Sequence, residues 1–565
     1  VNKKTVIGIA VVIALLCLIG IIIAGVGGYV YRDKLMAWLG LAQAQKVAGL
    51  LPAETQFYMA VTPNIQNMAG YENLKKVYLD NPDIQALFDD FVTEASGESG
   101  ITFSEDIKPW LGTEVVLAAP NFVEAVKAQN DDPFGSAATP PIVMAADSIN
   151  KAASDQFISK LLAEEAEKGK AFTDELYRDV ALHVQKQDDA TTIVTTFDNL
   201  VVISNQDSLV KGMIDQAKGN DAPSFAESER FKKITGVLPT NAILIFYMEF
   251  SGLFEAALAE SAVQLPESQV KDLQAIEGLG MTGTLQPNGI QLDVVASYDI
   301  AKMSEAMKKS LQRPASPNAI LNDIPAEALV AVNGFNLNQI WQTVKDSLES
   351  NPDFSQQIND LEQELGFSIE EDIFSWMTGE YAMVLTKAKP ADEFTPPFGG
   401  YLLIGTDNVD QAQTHVDKVF GIIEEQSDMG PLENQTVQGI ELKVAADFDG
   451  AFMGGYGFHK NYFLLAYQED AVKALASAAQ TPLANSPNFK AVQSRLPTSN
   501  YGYFYVDFDQ LQPAIEAQLG EFGQEDYQKK VRPLIEPIHA LGAAANTVGV
   551  DQGLSKGIFF IMISE

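Results

Sequence analysis

The chain has 565 residues, 46% of them hydrophobic, which is enough to bury more than one full core and excludes a disordered or purely fibrous protein. Its 75 acidic residues against 38 basic ones give a formal charge of −37, so nucleic-acid phosphates and anionic headgroups repel it and nucleic-acid binding is not expected. The single cysteine, Cys17, leaves the rest of the chain no disulfide and no thiolate metal site.

In chain order, Lys3 and Lys4 precede a run without charge, residues 5–31, whose stretch 6–26 is almost wholly Val, Ile, Leu, Ala and Gly. At helical rise that stretch crosses a hydrocarbon layer of ~30 Å, so it reads as a transmembrane helix. Arg32 and Lys34 after the run are partly offset by Asp33, which favours a cytoplasmic N-terminus and everything beyond about Tyr31 outside the cell membrane. A cleaved signal peptide is the competing reading, with Gly25 and Gly27 as small residues for a peptidase, but the run exceeds the usual core of roughly 7–15 residues. Residues 1–31 are therefore expected to be a cytoplasmic tip and membrane anchor, and 32–49 a juxtamembrane segment.

Beyond the anchor, a strand is predicted over 55–62 and helices over 65–79 and 84–95, the second opened by Asn81-Pro82-Asp83. Short strands follow at 114–119 and 142–146, then a helix at 151–168. Segments 180–184, 191–197 and 200–204 alternate as a meander, with Asp188-Asp189 and Asp198-Asn199 as tight turns. Helices at 207–218 and 227–237, a strand at 242–250, a helical stretch to about 275 and a hairpin through Pro287-Asn288-Gly289 complete this half.

The same series then recurs. Leu51-Pro52-Ala53-Glu54 returns as Ile324-Pro325-Ala326-Glu327, Glu105-Asp106-Ile107 with Trp110 as Glu371-Asp372-Ile373 with Trp376, and Leu238-Pro239-Thr240 as Leu496-Pro497-Thr498. Residue types that carry packing and backbone geometry repeat in the same order, which predicts two tandem homologous modules, 50–312 and 319–565, joined by a proline-bearing linker at 313–318. Hairpin-connected strands with helices inserted between them predict an α+β fold on antiparallel sheet, with a doubly wound parallel sheet as the weaker alternative.

Chemical motifs resolve poorly. Gly278-Leu279-Gly280-Met281-Thr282-Gly283 has dinucleotide-loop spacing but is expected to precede a strand at 284–292 instead of opening a helix. Gly553-Leu554-Ser555-Lys556-Gly557 has nucleophile-elbow spacing, yet a strand follows it and no His or Asp lies downstream, so Ser555 reads as a hairpin-turn residue. His183, His415, His459 and His539 are scattered without metal-ligand spacing, and Asp447-Phe448-Asp449-Gly450 lacks the later oxygens of a calcium loop. The twice-present cluster of Glu105, Asp106, Trp110 and Glu114, matched by Glu371, Asp372, Trp376 and Glu380, offers paired carboxylates. Thr102 or Ser368 three residues ahead of a Glu is, however, a capping-box spacing, and the Trp would pin a short helix to the core. No catalytic, cofactor-binding or metal residue is assigned, and no cofactor is expected.

With residues 100–112 (Gly-Ile-Thr-Phe-Ser-Glu-Asp-Ile-Lys-Pro-Trp-Leu-Gly) and the preceding Leu51-Pro52-Ala53-Glu54 in view, the chain resembles a bacterial envelope family catalogued as domain of unknown function 3352, in two copies. The resemblance implies a single-pass envelope protein and supplies no activity or catalytic residue; the second copy departs from it at Ser375 and Met377-Thr378. The expected role is non-enzymatic binding or scaffolding of another envelope protein outside the membrane. Contact surfaces are sought in the loops 131–141 and 389–397, with Phe134 and Phe394. Two other classes stay open: carriage of a lipid or other apolar ligand between sheet and helices, for instance under 253–263 and 511–519, and a hydrolase using carboxylates.

Overall fold

The computed structural model describes residues 46–63, 65–66, 68–86, 101, 103–123, 141–167, 169, 171–187, 190–253, 267–312, 314–348, 352–389, 397–426, 432–446, 452–517, 527–547 and 550–564. The apolar run 6–26, the calcium-like Asp447–Gly450 and the Asp188-Asp189 turn lie outside these residues. Among the described residues no helix is long and apolar enough to cross a membrane. The chain divides into two compact units, one of Val1–Gln264 with Ile276–Asp299, the other of Leu265–Ala275 with Ile300–Ser564.

Among the described residues the first unit has ten strands: β1 (Phe57–Val61), β2 (Leu111–Ala119), β3 (Val143–Ser148), β4 (Thr173–Tyr177), β5 (Val180–Gln187), β6 (Ala190–Phe197), β7 (Leu200–Ser204), β8 (Leu244–Glu249), β9 (Ile276–Gln286) and β10 (Gly289–Tyr298). Every pairing is antiparallel, in the order β4-β5-β6-β7-β3-β2-β1-β8-β9-β10. Helices α1 (Lys151–Glu167), α2 (Asp207–Ala217) and α3 (Glu229–Thr235) are inserted between strands. Helix α2 buries Leu209, Val210, Met213 and Ile214, which fall on one stripe at helical spacing. It covers the inner face of the sheet together with α3, where Tyr58, Phe225, Phe231 and Tyr247 form a ring cluster. The opposite, outer face is covered at the β6–β7 end by α1, whose Phe157 meets Trp110 with ring centroids 5.2 Å apart.

The second unit has β11 (Val330–Phe335), β12 (Glu380–Lys387), β13 (Phe398–Gly405), β14 (Glu433–Val437), β15 (Ile440–Ala446), β16 (Phe452–His459), β17 (Tyr462–Tyr467), β18 (Tyr503–Asp507), β19 (Ile538–Thr547) and β20 (Leu554–Ile563). They pair antiparallel in the order β14-β15-β16-β17-β13-β12-β11-β18-β19-β20. Its helices include α4 (Leu337–Leu348), α5 (Val409–Gln426), α6 (Glu469–Ser477), α7 (Pro487–Gln493) and α8 (Phe508–Glu516). Helices α6 and α7 pack on the inner face, and α5 covers the outer face over Ile404, Tyr456 and Phe463.

The large antiparallel sheet with inserted helices is the α+β architecture expected, and the parallel alternative is excluded by every ladder. Local readings needed correction. The helix expected at 65–79 is reduced to Tyr71–Leu74 and a π-helical turn at Lys75–Leu79. Gly70 breaks the run: its φ is +89°, and a Cβ there would come within 2.0 Å of the Gln286 carbonyl oxygen. The glycine run 278–283 does not precede a strand but lies inside β9, and Ser555 sits on β20 opposite Thr547 instead of in a turn. In both places the ladder partner extends the strand past the glycines that locally signal a turn. The glycine at 280 has a packing reason, since a Cβ would meet Ile234 of α3 at 2.2 Å, and Gly542 stands in the same relation to Val492 of α7.

Candidate functional site

The repeated acidic motif is built into the fold. In the first unit, Trp110 Nε1 donates to the Asp106 carbonyl at 2.7 Å, while the Asp106 carboxylate accepts from Lys160 of α1 at 2.7 Å. In the second, Trp376 Nε1 donates to the Asp372 carbonyl at 3.2 Å. The Asp372 carboxylate takes the Ser368 N–H at 2.8 Å, His415 Nδ1 at 3.0 Å and Lys418. Ser368 Oγ accepts from Glu371 N at 3.3 Å, so the cap forms, but the reciprocal acceptor is Asp372 and not the expected Glu371. Thr102 lies outside the described residues.

Burial alone would raise the Asp372 pKa, yet Lys418, the Ser368 amide and His415 together hold it below the ordinary value. A depressed carboxylate contributes stability that is fully present above the unfolded pKa and lost as pH falls through the folded one. Asp372→Asn is therefore expected to destabilise the chain by about 1–3 kcal/mol at pH 7. Urea unfolding should show that difference shrinking toward zero well below pH 3.8.

Glu371 and Asp372 do line a shallow depression of about 510 Å³, with Glu362 and Lys418. Glu362 is occupied there by Ser368 Oγ and the Ile369 N–H, at 3.1 and 2.7 Å. Acid–base work asks for a carboxyl raised toward neutrality, the opposite of Asp372.

The raised carboxyls among the described residues are Glu114, Glu380 and Asp507; the first two lie at equivalent places on β2 and β12, both buried on the inner face. Burial pushes Glu114 up to about 7, opposed by hydrogen bonds from Val47 N and Tyr58 and reinforced by Asp147. Its oxygens accept from Val47 N at 3.2 Å and Tyr58 Oη at 3.1 Å. Glu380, raised by burial as well, accepts from Ile320 N at 3.1 Å and Ser316 Oγ at 3.3 Å. Each carboxyl thus ties the segment leading into its unit onto the sheet. Sequence reasoning grouped Glu114 with Glu105 and Asp106, whereas the alternation of β2 turns it to the other side of the sheet.

Three histidines pair with aspartates: His183 with Asp174 at 2.7 Å, His415 with Asp372, and His539 with Asp509 at 2.8 Å. Burial lowers the pKa of His459. Among the described residues no three His, Cys, Asp or Glu side chains converge as a metal site.

Two clefts occupy corresponding positions, each beside the first helix after the meander. One, of about 510 Å³, runs along Pro52, Glu54, Pro120, Pro141 and Gln216. The other, of about 440 Å³, is lined by Glu327, Thr386, Lys387, Lys389, Asp470 and Lys473. The loops 131–141 and 389–397 border these clefts through Pro141 and Lys389, and most of their residues lie outside those described.

The least expected feature is the outer face of the second sheet. Ladder partners align Leu465, Leu402, Met383, Val332, Phe504, Ala543 and Phe559 in one row across β17-β13-β12-β11-β18-β19-β20. Met383 is 58% exposed, Phe559 41% and Phe504 40%. Beside this row a second one holds Leu385, Val330, Val506, Leu541 and Ile561. In the first unit the matching row is Ile203, Met144, Leu117, Met59, Phe246, Met281 and Val294, and there Phe246 and Met281 are buried. The row combines residues of seven strands, so no local window of sequence contains it.

The family model described as "Protein of unknown function (DUF3352)" matches residues 11–563. No curated protein matches the chain. Among solved structures, "Structure of crystal form III of TP0453" is similar at 12% identity and a TM-score of 0.24, over 47% of this chain and 85% of that one. "Structure of crystal form I of TP0453" is similar at 11% identity and 0.25, over 49% and 86%. Likenesses at that level fix neither fold nor function.

Proposed function

For a chain that belongs to the DUF3352 family of proteins of unknown function, we propose a non-enzymatic binding role in the cell envelope, in which the outer sheet face of the second unit holds an apolar ligand such as a lipid acyl chain. The observation that carries this reading is the exposed row through Met383, Phe504 and Phe559. Contiguous apolar surface of this kind is uncommon on a soluble monomer and marks binding surfaces. The row runs across strands spaced about 4.8 Å apart, and the half-buried Leu385 and Val330 beside it widen it. Ile515 of the flanking α8 is also exposed.

The envelope setting rests on the run 6–26 as an anchor behind Lys3 and Lys4. The non-enzymatic reading is supported by the use of Asp106, Asp372, Glu114 and Glu380 in caps, ion pairs and the tethering of leading segments. Tandem duplication is part of the proposal. It is supported by the shared strand order, the Gly280/Gly542 contacts and the Glu114/Glu380 tethers.

The test is a titration of the full chain with an environment-sensitive fluorescent fatty acid, alongside mass spectrometry of solvent extracts of the purified protein. Saturable binding near one equivalent, competed by unlabelled fatty acid, is expected. No saturable signal together with no extracted apolar molecule would defeat the reading.

A further inference from the structure

The outer face of the second sheet is also set apart by its charge. Among the described residues, strands β11, β12, β13, β17, β18, β19 and β20 carry two carboxylates, Glu380 and Asp507, and both are buried and alternate onto the inner face. Of the two lysines on these strands, Lys556 lies three residues from Phe559 and so on the opposite face, whereas Lys387 lies four from Met383 and shares its face. The apolar rows are thus bordered on β12 by a lysine, and no strand turns a carboxylate toward it.

Lys387 Nζ donates to Gln510 Oε1 of α8 at 2.7 Å, and among the described residues it pairs with no carboxylate. The carboxylates nearest in the fold are engaged elsewhere. Asp509 of α8 accepts from Asn488 Nδ2 at 2.9 Å and pairs with His539 Nδ1 at 2.8 Å, and Glu516 accepts from Gln512 at 3.1 Å and lies 3.7 Å from Arg532. Asp470 takes the Lys389 N–H at 2.9 Å and Lys473 Nζ at 3.1 Å. The Lys387–Gln510 bond also fixes a second donor in place: Gln510 Nε2 sits on the same amide carbon as the accepting oxygen, beside the ammonium. Asp507 Oδ1, which caps α8 by accepting from Gln510 N at 3.1 Å, holds the backbone of that residue.

The first unit supplies an internal comparison. Ladder register matches Leu117 with Met383 and Tyr247 with Tyr505, which puts Asn121 at the place of Lys387 and Gly252 at that of Gln510. The unit that buries Phe246 and Met281 in its outer row lacks both donors, and the unit that exposes Phe504 and Phe559 has both. The donor pair and the open apolar row therefore occur together.

We propose that the ligand of this face is an anionic single-chain amphiphile, its carboxylate held by Lys387 Nζ and Gln510 Nε2 and its alkyl chain running over Leu385 and Met383 into the apolar row. The inference rests on the apolar-face reading and adds the polar end of the ligand. Same-face residues of a strand follow one another at ~6.6 Å, so Leu385 and Met383 stand about 7 and 13 Å from Lys387 along β12, within reach of a short alkyl chain. A hydrogen bond with a charged partner is roughly twice as strong as a neutral one, which gives a carboxylate the advantage over an uncharged head. The formal charge of −37 opposes an anion only from a distance, because exposed charges are screened beyond ~8 Å at physiological salt.

The test titrates the full chain by calorimetry with decanoate and, separately, with decanol, both below the concentration at which they aggregate and at neutral pH. Decanoate is expected to bind about tenfold more tightly, and added salt should narrow the gap. Lys387→Gln should bring decanoate close to decanol while leaving decanol binding and thermal stability unchanged, which a merely structural lysine would not do. Lys387→Arg should retain the preference, and Gln510→Ala should reduce it about threefold. Equal affinity for the two ligands in the parent chain, or a preference that Lys387→Gln does not move, would overturn the inference, and saturable decanol binding would in that case leave the apolar-face reading standing. Loss of saturable binding by both ligands would remove that reading and the inference together.

Discussion

Phe504→Glu/Phe559→Glu is expected to weaken fatty-acid binding by at least a hundredfold. Burying one aromatic or aliphatic side chain against a ligand is worth about 1.5–3 kcal/mol, and a carboxylate facing an acyl chain adds a desolvation cost. Both residues are about 40% exposed in the free protein, so their replacement should destabilise the chain far less than a substitution in the core. That combination separates a binding surface from a structural one. In the first unit the equivalents are Phe246 and Val294, and Phe246 is buried, so Phe246→Glu is expected to unfold its unit instead. A double variant that binds normally would remove the outer face from the account.

Glu114→Ala is expected to destabilise the first unit by about 2–5 kcal/mol, because it strands the Val47 N–H and the Tyr58 hydroxyl in a sealed interior. The measurement is urea unfolding followed by Trp110 fluorescence in a chain whose Trp38, Trp341 and Trp376 are replaced by Phe. The parent also carries a pH signature. A carboxyl raised from 4.5 to about 7 binds its proton more tightly when folded, so stability is highest below the lower value and declines as pH rises through the higher one. The full difference is about 3 kcal/mol. Glu114→Gln, which keeps one acceptor and cannot ionise, should flatten that slope. A parent whose Trp110 transition does not depend on pH between 4 and 8 would show that Glu114 is solvated and does not tether Val47.

Much of the architecture is legible in the sequence. The meander of β5, β6 and β7 announces itself through period-two apolar runs and Asp198-Asn199, which adopt φ of +47° and +57° as a tight hairpin requires. Strand β4 was missed because Thr173-Asp174-Glu175-Leu176-Tyr177 is polar and mostly exposed, held by its ladder to β5 and not by burial. Its hairpin turns on Arg178-Asp179, both at positive φ, which lacks the usual Asn-Gly signature.

The candidate site was less legible for a geometric reason. Trp110 and Asp106 are four residues apart and bond each other, so a local pattern captures them. Met383, Phe504 and Phe559 become neighbours only through the register of β12, β11, β18, β19 and β20, which no spacing rule encodes. The same holds for Thr386 and Lys473, brought together by α6 packing beside β12.

The outer face can be tested directly by photo-crosslinking the full chain with a diazirine-bearing fatty acid and mapping the adducts by peptide mass spectrometry. The account predicts saturable labelling, competed by unlabelled fatty acid, concentrated on β12, β18 and β20 around Met383, Phe504 and Phe559. Labelling confined to other surfaces, or labelling at these strands that excess fatty acid does not reduce, would contradict it.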